Sequence, residues 1–166
     1  VVIEAVKPPF DFERDAQFMW QALHEAQQAF DEGEVPVGAV VVADGMVVGR
    51  GHNQTERLGD PTAHAEILAI GAASEHFESW RLLGATLYAT IEPCVMCAGA
   101  SVMARIERIV YGAADPKFGG CDSIFRIPTD PRLNHRVEIL RGVLADECAA
   151  IMKEFFAGRR ARQSQS

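Results

Sequence analysis

The sequence predicts an α/β protein: a three-layer α/β/α arrangement around one central mixed sheet of about five strands. Three observations carry the prediction. Segments with helical spacing alternate with short β-branched runs along the chain. The run Val37 to Ala43 is apolar on both faces, as a strand covered by helices on either side must be. No internal repeat or linker divides the 166 residues, so all the elements are expected to share one domain, with its core in about 12–160.

Residues 11–32 place Phe12, Ala16, Met19, Leu23, Ala26 and Phe30 at alternating steps of four and three, an amphipathic helix with Asp11 as its cap and Gly33 as its stop. Val37 to Ala43, the Asp44-Gly45 turn and Met46 to Val48 form a hairpin. The polar, glycine-containing stretch 49–61 reads as a connection. A second helix is expected from Thr62 or Ala63 through Ile67, Ile70 and Phe77, followed by a strand over Ala85 to Thr90. Pro93 then admits a helix covering Cys94 to about Met103. A short strand at 108–113 precedes an irregular segment, 114–135, rich in Asp, Gly and Pro, with room for a short helix. Val137 to Leu140 is the last strand. The final helix runs from about Leu144 to Arg160, and the tail to Ser166 is expected to be frayed beyond its basic cluster.

Apolar residues make up 48% and charged residues 23%, a balance that excludes a disordered or collagen-like chain. No stretch is long and apolar enough to span a bilayer, and no secretory leader pattern opens the chain, so an intracellular protein is expected. The start on Val1 rather than Met reads as processing or trimming. Four cysteines do not make a secreted framework; two form Cys94-x-x-Cys97, and Cys148, at apolar spacing with Leu144, Ile151 and Phe155, reads as a small core side chain. The net charge of −7 is unevenly spread: residues 1–100 hold 5 basic and 15 acidic side chains, residues 101–166 hold 11 and 8. A polyanion would therefore be handled by the C-terminal third.

His64-Ala65-Glu66 and Pro93-Cys94-Val95-Met96-Cys97 each stand at the start of an expected helix. Cys94 and Cys97 share one face of a first turn, where unpaired N–H groups and the positive helix end favour the thiolate that zinc requires. His64 has the same kind of position on the preceding helix. Three protein ligands leave the fourth tetrahedral position of one zinc per chain open to water, as structural sites do not. Glu66, two residues on, can reach that water and move its proton. A redox dithiol would have no need of His64 and Glu66. A structural zinc would recruit a fourth ligand from Cys121, His52, His76 or His135. Taken together, the two halves resemble the signature of the zinc nucleobase deaminases.

Further segments carry a closer resemblance. Glu34-Val35-Pro36-Val37-Gly38-Ala39-Val40, Asn53, Asp60-Pro61-Thr62-Ala63 before His64, Leu87-Tyr88 with Thr90, Glu92 before Pro93, Cys97-Ala98-Gly99-Ala100, Asn134-His135-Arg136-Val137-Glu138-Ile139, Leu144-Ala145-Asp146-Glu147-Cys148, and Phe155-Phe156 with Arg159-Arg160 resemble the bacterial tRNA-specific adenosine deaminases over roughly residues 12–160. The zinc segments alone fit the wider cytidine deaminase-like superfamily; the last three stretches narrow it. The resemblance implies a cytidine deaminase-like fold and hydrolytic conversion of adenosine to inosine at the wobble position of a tRNA anticodon stem-loop. It also implies a homodimer, while a cytoplasmic location with no membrane partner is expected from the missing leader pattern and missing apolar span. Carried over residue by residue, it implies zinc on His64, Cys94 and Cys97, and Glu66 as proton shuttle. Asn53 would hydrogen-bond the flipped purine, the backbone at Ala65 and Pro93 would place base and leaving group, and Val35, Val37 and Ile91 would wall the pocket. Asp115 and Lys117 would face the anticodon backbone, with Phe156, Arg159 and Arg160 on the flanking nucleotides.

Read from the residues alone, Asn53 is a turn residue, Val37 and Ile91 are ordinary core, and Asp115 and Lys117 are solvated surface. Departures from the family pattern fall at Ala114, at Gly119-Gly120-Cys121-Asp122 and at Ala157-Gly158, where RNA contacts would be redistributed. Two other functions remain compatible with the residues: a free-base or nucleoside deaminase of the guanine or cytosine type, and a zinc-stabilised, non-catalytic RNA-binding module.

Overall fold

The first helix forms where the sequence demands it, α1 over Phe12–Asp31, with the Asp11 carboxylate accepting from the Arg14 N–H at 3.1 Å. The structure, a computed structural model, describes residues 11–166, so the reading of the chain's start lies outside the described residues. The remaining elements follow as β1 (Gly38–Ala43), β2 (Met46–His52), α2 (Thr55–Leu58), α3 (Ala65–Phe77), β3 (Thr86–Ile91), α4 (Val95–Met103), β4 (Arg108–Ala113), one turn of 3₁₀ helix (Ile127–Thr129), β5 (Glu138–Arg141) and α5 (Ala145–Gln163). The hairpin turn at Asp44 and Gly45 uses left-handed backbone at both residues, φ 49° and 75°, as a two-residue hairpin connection requires.

The strands make one mixed sheet in the order β2-β1-β3-β4-β5. β1 is antiparallel to both β2 and β3, whereas β3, β4 and β5 run parallel. All six residues of β1 are buried, as its doubly apolar pattern predicts. Val40 and Val42 join Met19, Ala22, Tyr88, Val110 and Cys148 on the face covered by α1 and α5. Ala39 and Val41 join Ala69, Leu87, Ala98 and Ile109 on the face covered by α3 and α4. Successive strand residues thus feed two separate cores, and the three-layer α/β/α architecture follows. Cys148 packs as the core side chain expected, against Gly112, where a Cβ would lie 2.4 Å from its sulphur.

Four boundaries differ from the sequence reading. β2 continues to His52 instead of ending at Val48, because the glycines that made 49–51 look like a loop give α3 room to approach. A Cβ on Gly49 would meet the Ala69 carbonyl oxygen at 2.2 Å, and one on Gly51 would meet that of Ala65 at 2.3 Å. A further short helix, α2, occupies what reads as connection. α3 starts at Ala65, later than expected, with His64 as its N-cap. α5 runs on to Gln163, so the basic cluster of the tail is helical. Among the described residues, no helix is long and apolar enough to cross a membrane.

Candidate active site

His64 caps α3 and Cys94 caps α4, both in extended backbone (φ −75°, ψ 151° and φ −69°, ψ 176°), and neither makes a side-chain capping bond. Their side chains are thereby left to turn towards each other, with Cys97 one turn into α4. His64 Nδ1 lies 3.5 Å from each sulphur, and all three donor atoms fall within 4.8 Å of one another. A tetrahedral zinc with its usual bonds to nitrogen and sulphur demands about 3.6 Å between the two kinds of ligand, so the donor set fits that ion. Among the described residues no fourth histidine or cysteine joins the group. His52 is taken up by Glu25 (3.4 Å) and Glu32 (3.0 Å), and His135 Nε2 lies 2.6 Å from the Ile106 carbonyl oxygen. The geometry therefore leaves one coordination position for water or substrate.

The protons of the cluster are shared. The Cys94 thiol is pushed down to about 4, chiefly because its sulphur accepts a bond from Cys97 and, against the cost of burial, another from His64. The same bond, together with burial, pushes the Cys97 thiol far up, and the Cys94 contact raises His64. One thiolate ringed by two donors is an arrangement in which a soft cation can replace the protons. Glu66, in the first turn of α3, is only 3% exposed, and burial above all pushes its carboxyl up to about 7.

A cavity of about 590 Å³ opens onto the cluster. It brings His64, Glu66 and Cys94 together with Val35, Val37, Asn53, Ala65, Ile91, Asp115, Lys117 and Phe156. Val37 and Ile91 are half-buried wall residues rather than sealed core. Ala65 is the first residue of α3, so its N–H has no acceptor within the helix. Pro93, Arg159 and Arg160 do not line the cavity. The Pro93 carbonyl accepts from the Gly120 N–H at 2.8 Å. Arg159 lies over the Phe155 ring at 4.8 Å and reaches the Gly33 carbonyl at 3.4 Å, while Arg160 is exposed.

Two cavity residues also serve their own loops. Asn53 Nδ2 donates to the Val35 carbonyl and its Oδ1 accepts from the Thr55 N–H, both at 3.3 Å, which bears out the turn reading. An amide has a second N–H and a second lone pair, so the purine edge can still be met. Asp115 Oδ1 accepts from the N–H groups of Lys117 (3.0 Å) and Phe118 (3.2 Å), which makes Asp115 the organiser of a tight turn.

The sequence reading did not single out Thr55, Phe118 and Met152, which also line the cavity, or Glu34 and Glu92 as individual residues. Glu34, 2% exposed, accepts from the backbone N–H groups of Arg57 at 2.6 Å and Glu56 at 3.3 Å, and so anchors α2. Glu92 is 1% exposed and directly precedes Pro93-Cys94. A signal was present for Phe118, an aromatic side chain in a polar, glycine-rich segment. The two glutamates stand in segments that carry the resemblance, but residue type alone gives them no buried role, because acidic residues beside loops are ordinarily solvated.

Comparison with known proteins adds the following. Residues 13–160 match the MafB19-like deaminase family. A tRNA-specific adenosine deaminase of Streptococcus pyogenes serotype M18 is 49% identical over 158 residues, covering 95% of this chain and 99% of the relative. The tRNA-specific adenosine deaminase of Bacillus subtilis is 45% identical over 86% of this chain and 89% of its own. A solved structure from work on A-to-I editing by tRNA:A34 deaminases at the wobble position superposes with a TM-score of 0.78 at 47% identity, covering 81% of this chain and 98% of that one. A guanine deaminase from Nitrosomonas europaea, at 22% identity and a TM-score of 0.75 over 91% of this chain and 94% of its own, shares the fold.

Proposed function

The chain belongs to the tRNA-specific adenosine deaminases, within the MafB19-like deaminase family, and from that premise we propose that it hydrolyses adenosine to inosine at the wobble position of a tRNA anticodon stem-loop. The observation that carries the deaminase chemistry is the three-donor cluster of His64, Cys94 and Cys97, open on one side to a cavity that also holds Glu66 and Asn53, and the choice of tRNA rests on the relatives. When bound there, zinc supplies a water acidic enough to act as nucleophile near neutral pH.

The chain's own residues do the rest. Glu66, buried in the first turn of α3 and facing the same cavity as the donor cluster, is placed both to take a proton and to return it, first to the purine ring and then to the departing amine. Water and adenosine thereby become inosine and ammonia. Asn53 offers its remaining N–H and lone pair to the purine edge, and Ala65, which lines the same cavity, has an N–H free of any helical acceptor. Val35, Val37 and Ile91 hold the ring between apolar surfaces. Pro93 shapes the backbone beside the leaving group. Asp115 orders the loop that carries Lys117 to the anticodon backbone, Phe156 stacks on a flanking base, and Arg159 and Arg160 supply charge along α5. An anticodon loop is already unpaired, so extruding its base costs only stacking.

The working state in this proposal is a cytoplasmic homodimer. Support for the dimer comes from the exposed apolar side chains of Met103, Ile124 and Phe125. Light scattering tests the dimer. The function is tested by measuring inosine and ammonia from an anticodon stem-loop carrying wobble adenosine, against free adenosine, guanine, cytidine and cytosine. Preference for a free base would overturn the RNA assignment in favour of a free-base deaminase. RNA binding without ammonia release would point to a zinc-stabilised binding module instead.

A further inference from the structure

We propose that Glu92 is the positioning residue of the substrate-facing loop: its buried carboxylate gathers residues 115–123 around one point and so sets where Lys117 and Phe118 stand at the cavity mouth. The proposal rests on the RNA-deaminase reading above and names a determinant of its substrate affinity.

The loop contains no helix, and its one strand-like contact is an isolated bridge between Cys94 and Gly119. Beside the Asp115 turn, hydrogen bonds to one side chain tie its two ends together. Glu92 Oε1 accepts from the backbone N–H groups of Asp122 and Ser123, both at 2.8 Å, and from that of Cys121 at 3.3 Å. Its Oε2 accepts from the Asp115 N–H at 3.0 Å and from the Ser123 hydroxyl. Five donors from both ends of the segment thus converge on one carboxylate. Only an acceptor-only group suits such a ring; an amide in its place would turn N–H against N–H.

The rest of the loop is built to the same point. A Cβ on Gly119 would lie 2.4 Å from the Glu92 carboxyl carbon, so glycine is what lets the chain close over it. Gly120 N–H donates to the Pro93 carbonyl, and Asp122 is held in turn by the Tyr111 hydroxyl at 2.7 Å and Arg141 at 3.0 Å. On the outer side, the Asp115 turn leaves Phe118 67% exposed beside the cavity. Glu92 stands at the end of β3, immediately before Pro93 and Cys94, so the loop and a metal ligand hang from the same three residues. Gly119 is, on this view, the clearance that Glu92 needs, while Gly120 gives clearance to the backbone of Cys94 and Val95.

The test compares wild type, Glu92→Gln and Ser123→Ala, each with its zinc content measured, on a wobble-adenosine stem-loop. Glu92→Gln is expected to keep one zinc per chain and to raise KM by about tenfold, with kcat changing much less. Ser123→Ala removes one donor of the five and is expected to raise KM by about two- to threefold, which keeps the proposal testable if the first variant does not fold. Amide hydrogen exchange is expected to accelerate at Asp115, Cys121, Asp122 and Ser123 in Glu92→Gln while β3 stays protected. Unchanged exchange at those four amides would overturn the proposal, as would faster exchange with an unchanged KM. Loss of zinc with a matching fall in kcat would assign Glu92 to the metal site instead. Should wild type make no inosine, the functional reading fails by itself, and the exchange data still decide whether Glu92 orders the loop.

Discussion

Replacing Gly51 with alanine should disable the enzyme from the far side of a helix. The new methyl would be placed 2.3 Å from the Ala65 carbonyl oxygen and 2.7 Å from the Ala69 nitrogen. A carbon needs about 3.3 Å from such an oxygen, so β2 and the start of α3 must separate by about 1 Å. Ala65 lies between His64 and Glu66, and a shift of that size in reacting groups costs about 10²-fold in rate. Overpacking of this kind also costs about 1–3 kcal/mol, which at this chain length lowers Tm by about 2–12 °C. Gly49→Ala is the internal control. Its methyl would press on Ala69 and Ala73, a full turn further from His64, and should lower Tm similarly with a smaller loss of rate. The assay is kcat per bound zinc on the stem-loop, with thermal unfolding alongside. A Gly51→Ala enzyme that loses stability but keeps full kcat per zinc would show that β2, an edge strand, gives way instead, and would refute the reasoning.

Glu66→Ala is expected to retain zinc and stem-loop binding while losing about 10²–10⁴-fold in inosine formation; normal turnover would remove the carboxylate from the proton-transfer role. Cys94→Ala should lower zinc stoichiometry well below one per chain, checked by elemental analysis, and lower Tm with it. Asp15, 1% exposed, accepts from Arg108 through both carboxylate oxygens and from the Tyr88 hydroxyl at 2.7 Å. Asp15→Asn should cost about 3 kcal/mol and about 6–12 °C in Tm, and adding Arg108→Met should recover part of that loss. Gly71, inside α3 with no heavy atom within 4 Å of a built Cβ, should raise stability by about 1 kcal/mol when changed to alanine, read as a higher Tm with unchanged activity.

The layers of this fold were legible because their signals are periodic. The Phe12 to Phe30 spacing and the doubly apolar Val37 to Ala43 run each specify a burial pattern that only a covered sheet satisfies. Gly49 and Gly51 misled for a physical reason. Their composition is that of a loop, but their function is clearance, which depends on a helix sixteen or so residues further along the chain. The metal ligands were legible because ligation demands particular atoms at particular helix positions. Glu92 and Glu34 were not, since their partners are backbone N–H groups, which every residue carries and no sequence displays. Asn53 and Asp115 were legible as turn formers from residue type, and the cavity around them emerges only when Val35, Ile91 and Phe156 converge from three distant segments.

The two sides of the cavity also stand on different scaffolding. His64, Glu66 and Cys94 are rooted in α3 and α4, whose inner faces are locked into one core. Phe118, Met152 and Phe156 come from a loop and from the partly exposed face of α5. Substitutions on the second side can therefore reshape which polynucleotide is admitted without disturbing the reacting groups on the first. Laboratory evolution towards new substrates should accumulate changes there and leave Glu92, where the two sides join, untouched.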